Sequence, residues 1–160
     1  MTDHPAPIPD DPAATILGGM PDPAAVSCLE KMALGLPQVD LSTSMFAFGG
    51  MASRTIFIPA GTFLTGALTR IDNICAVFGD ITVTTDDGPR RLTGFHVLPA
   101  SAGAKRAGIA HADTWWTTIW RTDQTDAQAI EDEMTAESDQ LQTRRPDVEF
   151  AKTIELEHAP

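Results

Sequence analysis

A chain of 160 residues in which 42% of side chains are hydrophobic is long enough to bury one core. Its formal net charge of −11 repels phosphate, which argues against nucleic acid as a partner of the whole chain. No apolar run approaches the roughly 20 residues that cross a bilayer, so no membrane contact is expected.

The charge is uneven. Residues 1–40 carry a net −5, residues 41–121 a net +2 and residues 122–160 a net −8. Two acidic ends therefore flank a mildly basic middle that could hold a small anion. Residues 1–22 are acidic and rich in proline, bury little, and are expected to be an extended arm. The opening MTDHPAPIPDDPAA lacks the pattern of a secretory leader, which points to the cytoplasm.

Residues 23–43 form a helix and a linker. The helix is predicted over residues 22–36, with Asp22 as cap and Pro23 in the first turn. Val26, Leu29, Met32 and Ala33 share one face at helical spacing, and Gly35 and Pro37 end it.

Residues 44–121 read as β throughout. RTIFIP (54–59), FLTGALT (63–69), NICAVFG (73–79), DITVTT (80–85), RRLTGFHVLP (90–99), AKRAGIA (104–110) and TWWTTIW (114–120) are short and rich in β-branched residues. Turns are expected at Pro59–Gly61, Asp86–Pro89 and Pro99–Gly103. The glycine-rich GGMASR and SAGAKRAG open no helix, so they too read as β-turns. In the last strand Trp116 and Trp120 share a face with Thr114 and Thr118, while Trp115 lies opposite. One face is core, and the other offers an indole to a subunit interface or a ring-lined pocket. Many short strands with no helix between them mean a sandwich or barrel.

Residues 122–160 return to helix and tail. A helix is predicted over residues 122–142, capped by Asp123 or Thr125, with Ile130, Met134 and Leu141 as a thin apolar stripe. The segment VEFAKTIELE near the end has the composition of a strand added to the barrel edge or to a partner.

The β zone resembles a cupin, the double-stranded β-helix or jelly-roll barrel. IPAGTFLTGALTRIDNICAVFGDITV is similar to its first signature and LPASAGAKRAGIAHADTWWTTIW to its second. The stretch PQVDLSTSMFAFGGMASRTIFIPAGTFLTG also resembles cupin-like proteins of tailed phages and their prophages. The family implies an all-β core, here with a short N-terminal helix and a C-terminal helix. Metal-binding members carry two histidines and a glutamate in the first signature and a histidine in the second. The histidine positions fall here on Thr69 and Asn73, and on Arg106 or, one residue over, Lys105, and no nearby glutamate replaces the remaining ligand. Threonine and asparagine are poor ligands and arginine repels a metal ion. The resemblance thus implies a barrel without metal or other cofactor.

Three site readings compete. Arg106, with Arg54 and Arg70 converging on it and Thr69, Asn73 and Trp116 beside it, would hold a carboxylate or phosphate by paired hydrogen bonds. The bland alternative pairs these arginines with Asp72, Asp80 or Asp113. His96 and His111, with Asp113, are the fallback metal ligands. Cys28 and Cys75 lack CxxC spacing and read as two buried, reduced thiols.

Three functions follow. The first is a non-enzymatic interaction or assembly protein, phage-derived or virion-associated, with itself (a homo-oligomer) or a phage or host assembly as partner. The second is a binder of a small anion or metabolite at the barrel mouth through Arg106. The third is a metal-dependent enzyme with atypical ligands. No nucleophile elbow and no phosphate loop argues for another chemistry.

Overall fold

The structure, a computed structural model, describes residues 11–19, 22–148 and 155–157. The core is all-β, with short helices before and after it. Its strands are β1 (Thr43–Phe48), β2 (Met51–Ile58), β3 (Phe63–Thr65), β4 (Asn73–Val83), β5 (Arg90–Ala100), β6 (Ala107–Ala110), β7 (Thr114–Arg121) and β8 (Leu156–Glu157). They form one curled sheet in the order β3-β6-β4-β7-β2-β1-β8, with β5 added on β4.

The curl has a local cause. The two stretches NICAVFG and DITVTT, read separately in the sequence, are one strand of 11 residues. Its first half pairs with β7, from Ile74↔Ile119 to Phe78↔Trp115. Its second half pairs with β6, from Ile81↔Ala110 to Val83↔Gly108. Between them Gly79 sits at φ 148°, and a Cβ there would lie 2.7 Å from the carbonyl oxygen of Asp113 and would collide with the Thr114 hydroxyl. Only glycine lets the strand bend this close to its neighbour.

Period-two alternation decides the faces. Cys75 and Val77 of β4, Ile58 of β2, and Ile81, Val83 and Leu92 form the main core on the concave side. Trp116 packs against it from β7, on the same face as Thr114, Thr118 and Trp120, while Trp115 lies on the outer face. The hairpin between β1 and β2 turns through Gly49 and Gly50 at φ 60° and 77°, as the GGMASR stretch suggested.

The ends differ from the sequence reading in several places. Part of the segment expected to be an extended arm is a helix, α1 (Pro12–Leu17), capped by Asp11. Burial of Leu17 against the barrel supplies what composition did not show. Residues 1–10 lie outside the described residues. The second helix, α2 (Pro23–Ala33), has Asp22 as its cap, and Val26 packs with Leu17 and Ala107. Its Met32 is exposed, so the apolar face is narrower than the spacing implied.

The C-terminal helix, α3 (Ala127–Met134), is much shorter than the predicted 122–142, and its cap is Asp126 rather than Asp123 or Thr125. Thr135 leaves the helix because its hydroxyl donates to the Leu68 carbonyl at 2.7 Å and its backbone bridges to Thr69. Two 3-10 turns follow, at Ser138–Gln140 and Gln142–Arg144. Strand β8, inside the expected terminal strand, runs parallel to β1, and residues 149–154 of that stretch lie outside the described residues.

The bend at Gly79 gives the first prediction. Gly79→Ala should destabilise the fold by about 3 kcal/mol or more, because backbone must move. Gly103→Ala, also at positive φ but with open space around it, should cost only about 1–2 kcal/mol. Urea unfolding of the two variants measures the difference.

Candidate functional site

The concave face encloses a cavity of about 140 Å³. Its walls come from six strands, chiefly Ile56 and Ile58 of β2, Leu64 of β3, Cys75 and Ile81 of β4, Ala107 of β6 and Trp116 of β7. Met134 of α3 and Leu141 close one end. The polar wall consists of Arg54, Thr69, Asn73, Arg106 and Thr118.

The structure therefore brings together Arg106, Arg54, Thr69, Asn73 and Trp116 from the set singled out in the sequence. Arg70 is not among them: it is exposed, and its Nη1 donates to the Asp132 carbonyl at 3.4 Å. Thr69 donates its hydroxyl to the Ala104 carbonyl at 3.3 Å, and Asn73 donates to Ile71 at 3.1 Å.

The two cavity arginines differ electrostatically. Arg54 donates to Glu131 at 3.3 Å, and its side chain is only 12% exposed. Glu131, itself 2% exposed, also accepts from Arg144 at 2.8 Å, and Arg144 reaches Asp132 at 2.6 Å. Burial lowers the Arg54 pKa and the Glu131 charge opposes this. Its charge is thus answered by a carboxylate. Arg106 has no such partner: among the described residues no carboxylate and no hydrogen-bond acceptor is paired with its guanidinium, whereas Arg54, Arg91, Arg144 and Arg145 each hold a carboxylate. The Asp residues that could have taken these arginines are engaged elsewhere. Asp80 holds Arg91 at 2.8 Å, Asp72 accepts from the Ala102 amide and Asp113 from the Ala60 amide.

The sequence reading missed Cys75 as a cavity residue, although its period-two register with Asn73 carried the signal. Burial pushes the Cys75 thiol up in pKa, while the nearby Arg106 charge and bonds from Trp116 and Thr118 pull it down. Cys28 is exposed, contrary to its reading as a buried thiol, because it lies on the solvent side of α2. Glu131 was also missed: nothing in a thin helical stripe says that a neighbouring glutamate turns inward.

The two histidines hold separate partners. His96 Nε2 lies 2.9 Å from the Thr93 carbonyl, and His111 Nε2 lies 2.7 Å from the Thr82 hydroxyl and 3.8 Å from Asp11. Neither lines the cavity. Among the described residues no group of three His, Cys, Asp or Glu side chains is placed to hold a metal ion. No helix among them is long and apolar enough to cross a membrane.

A second, larger cleft of about 530 Å³ adjoins the cavity, sharing Arg54, Ile56, Leu64 and Leu141 with it. One side of it is held by a buried lysine. Lys105 Nζ donates to Glu30 of α2 at 3.1 Å and to Glu137 at 2.8 Å, with only 1% of its side chain exposed. Thr65 of β3 donates to Glu30 at 2.6 Å, and the Leu68 amide donates to Glu137 at 2.8 Å. One ammonium thus ties both ends of the chain to the barrel.

No protein-family model matches the chain, and no curated protein matches it in sequence. Cupin superfamily proteins are among the structural neighbours of its curled, jelly-roll-like sheet. One is from Desulfitobacterium hafniense, at 15% identity over 57% of this chain and 88% of that one, with a TM-score of 0.42. A cupin-2 domain containing protein from Shewanella frigidimarina is similar at 11% identity over 59% and 91%, TM-score 0.42. KdgF from Halomonas sp. is similar at 15% identity over 54% and 84%, TM-score 0.46. At these identities the likeness is one of general shape, and activity does not follow from it.

The lysine clamp gives a prediction with a pH dependence. Burial pushes the Glu137 carboxyl up, but the Lys105 bond, the Leu68 amide and the Lys105 charge outweigh it, so its folded pKa lies below the ordinary value. A carboxyl of this kind binds fewer protons folded than unfolded. Its contribution is present above its unfolded pKa of about 4.3 and is lost as the pH falls through its lower folded value. Lys105→Met should cost about 3 kcal/mol at pH 7, because it strands two carboxylates. It should also flatten the fall of melting temperature between pH 5 and 3. Calorimetry across that range reads both effects.

Proposed function

We propose that the barrel binds a small organic anion of single charge through Arg106. One observation carries this reading: the Arg106 guanidinium lines a mostly apolar cavity without a counter-ion among the described residues, while the Arg54 beside it is paired with Glu131. Arg106 is half-buried, and a cation partly withdrawn from water without a counter-ion is costly, so an anion that enters gains both the charge pair and two parallel hydrogen bonds.

The cavity limits what that anion can be. About 140 Å³ is close to the size that admits benzene in an apolar protein cavity, so the body holds about six carbon atoms or fewer. The walls of Ile56, Ile58, Leu64 and Ile81 favour an apolar body, and Trp116 offers a flat surface to it. The Arg54 charge is answered by Glu131, which leaves one cation for one negative charge. Monocarboxylates therefore suit the site better than diacids or phosphate esters.

A second reading, a non-enzymatic assembly role such as a phage-derived or virion-associated component, draws on a different observation. A broad outer face of the sheet is apolar and exposed, with Phe78, Phe95 and Trp115 on it. The two readings are compatible, since they use opposite faces of the sheet.

Thermal shift with acetate, butyrate, benzoate, succinate and phosphate tests the first reading. At about 100 times its dissociation constant a ligand stabilises by about 2.7 kcal/mol, or roughly 5–10 °C for a chain of this size. Butyrate or benzoate should raise the melting temperature more than succinate, and Arg106→Gln should abolish the rise. Bound anion should also slow alkylation of Cys75 and leave that of Cys28 unchanged. No shift with any of the five anions would sink the reading.

A further inference from the structure

The curled sheet has two outer faces, and the chain covers one of them. Helices α1 and α2 lie over β3, β6 and the second half of β4, with Leu17 and Val26 buried against Ala107 and close to Phe63 and Ile109. Asp11 at the start of α1 accepts from Thr82 there at 2.7 Å. The other outer face, made of β1, β2, β7, β5 and the first half of β4, is bare among the described residues.

That bare face is apolar where a solvent-facing sheet is ordinarily polar. A row of four aromatic rings crosses it, each on a paired position: Phe57, Trp115, Phe78 and Phe95. Phe57 and Trp115 have ring centroids 5.0 Å apart, and Trp115 and Phe78 have theirs 6.1 Å apart. Phe95 is 67% exposed and Phe78 56% exposed. Ile74 and Val97 extend the row on one side, and Phe48 and Met51 lie exposed at the far corner. Among the outward-facing positions of these strands from Phe48 to Phe95 the one charge is Arg121, in register with Met51 at the far corner.

We propose that this face docks a second copy of the same chain, sheet against sheet. Charge argues for a copy over a different protein. Around a two-fold axis each residue meets residues of its own surface patch, so a charged patch on a chain of net −11 would set like against like. Apart from Arg121 at its corner, this is a face on which such a chain can meet itself without that repulsion. Area argues the same way. Five strands spaced by about 4.8 Å and about seven residues rising about 3.4 Å each give a flat footprint of about 570 Å². The accessible surface of the side chains standing on it is larger, on the order of the 800 Å² per partner that a stable dimer buries. The two aromatic rows would interdigitate in a layer about 10 Å thick, as in packed sheets generally. The inference is independent of the anion reading, because the cavity opens on the other side of the same strands.

Sedimentation analysis of the full chain from about 1 to 50 µM, together with native mass spectrometry, tests the proposal. The wild type should run at twice the chain mass, and the variant Phe78→Lys with Phe95→Lys should run as a monomer with an unchanged circular dichroism spectrum. If that double variant does not fold, Phe95→Ser alone replaces it and should weaken dimerisation at least tenfold. A wild type that is monomeric at 50 µM overturns the proposal, whatever else covers the face. So does a dimer whose dissociation constant none of these substitutions changes.

Discussion

The close approach of β4 to β7 at Gly79 is the constraint on which the rest of the molecule depends. β5 pairs with β4 along its whole length on one edge, and the partner changes only on the other edge. Here the first half of β4 pairs with β7 and the second half with β6, and the backbone at the junction touches Asp113 and Thr114 too closely for any side chain. Both halves therefore contribute to one concave side of the sheet. Cys75 and Val77 from one half and Ile81 and Val83 from the other point into the same core. The residual space between them is the cavity.

The charges at the end of that cavity are arranged so that nearly every buried ion is answered. Arg54, Glu131, Arg144 and Asp132 form a chain of alternating sign that runs from the cavity wall outward, and Lys105 stands between Glu30 and Glu137. Buried pairs of this kind add little net stability against an apolar packing, but losing one member is expensive. Their consequence here is geometric: they hold α3 and α2 in fixed places over the barrel, with Met134 set into the cavity end. Against this background Arg106 stands out, because it is the cavity cation to which the described chain brings no carboxylate.

Cover on the outside of the sheet is as uneven as charge on the inside. The N-terminal helices protect one outer face with Leu17 and Val26, and α3 closes one end through Ile130 and Met134. The face crossed by Phe57, Trp115, Phe78 and Phe95 receives neither helix. Burying aromatic rings is worth far more than burying the threonines that share their strands, so this face has apolar surface to gain from cover.

The sequence by itself determined the all-β class and the facing of the strands, though it read β4 as two strands and did not single out β1. Alternation placed Trp116 and Trp120 on one side and Trp115 on the other, and the glycines at 49, 50, 61, 79, 88 and 103, all at positive φ, marked the hairpins and the bend. A period of two is a local property, set by where successive Cβ atoms point, so it survives reading without a structure. The resemblance to the second cupin signature, not composition, set Arg106 among residues that could face a barrel interior. Tertiary contacts decided the rest. α3 stops at Thr135 because a hydrogen bond to Leu68, 67 residues away, outcompetes helical propensity. Arg70 lies outside the cavity, on a loop where it donates to the Asp132 carbonyl, while Arg54 lies within it, since packing across the sheet, not spacing along one strand, fixes which side chains meet. Glu131 turns inward to Arg54 only because the whole barrel places a buried guanidinium under α3. Pairings between residues far apart in the chain are set by the packing of the complete sheet, and no local pattern records them.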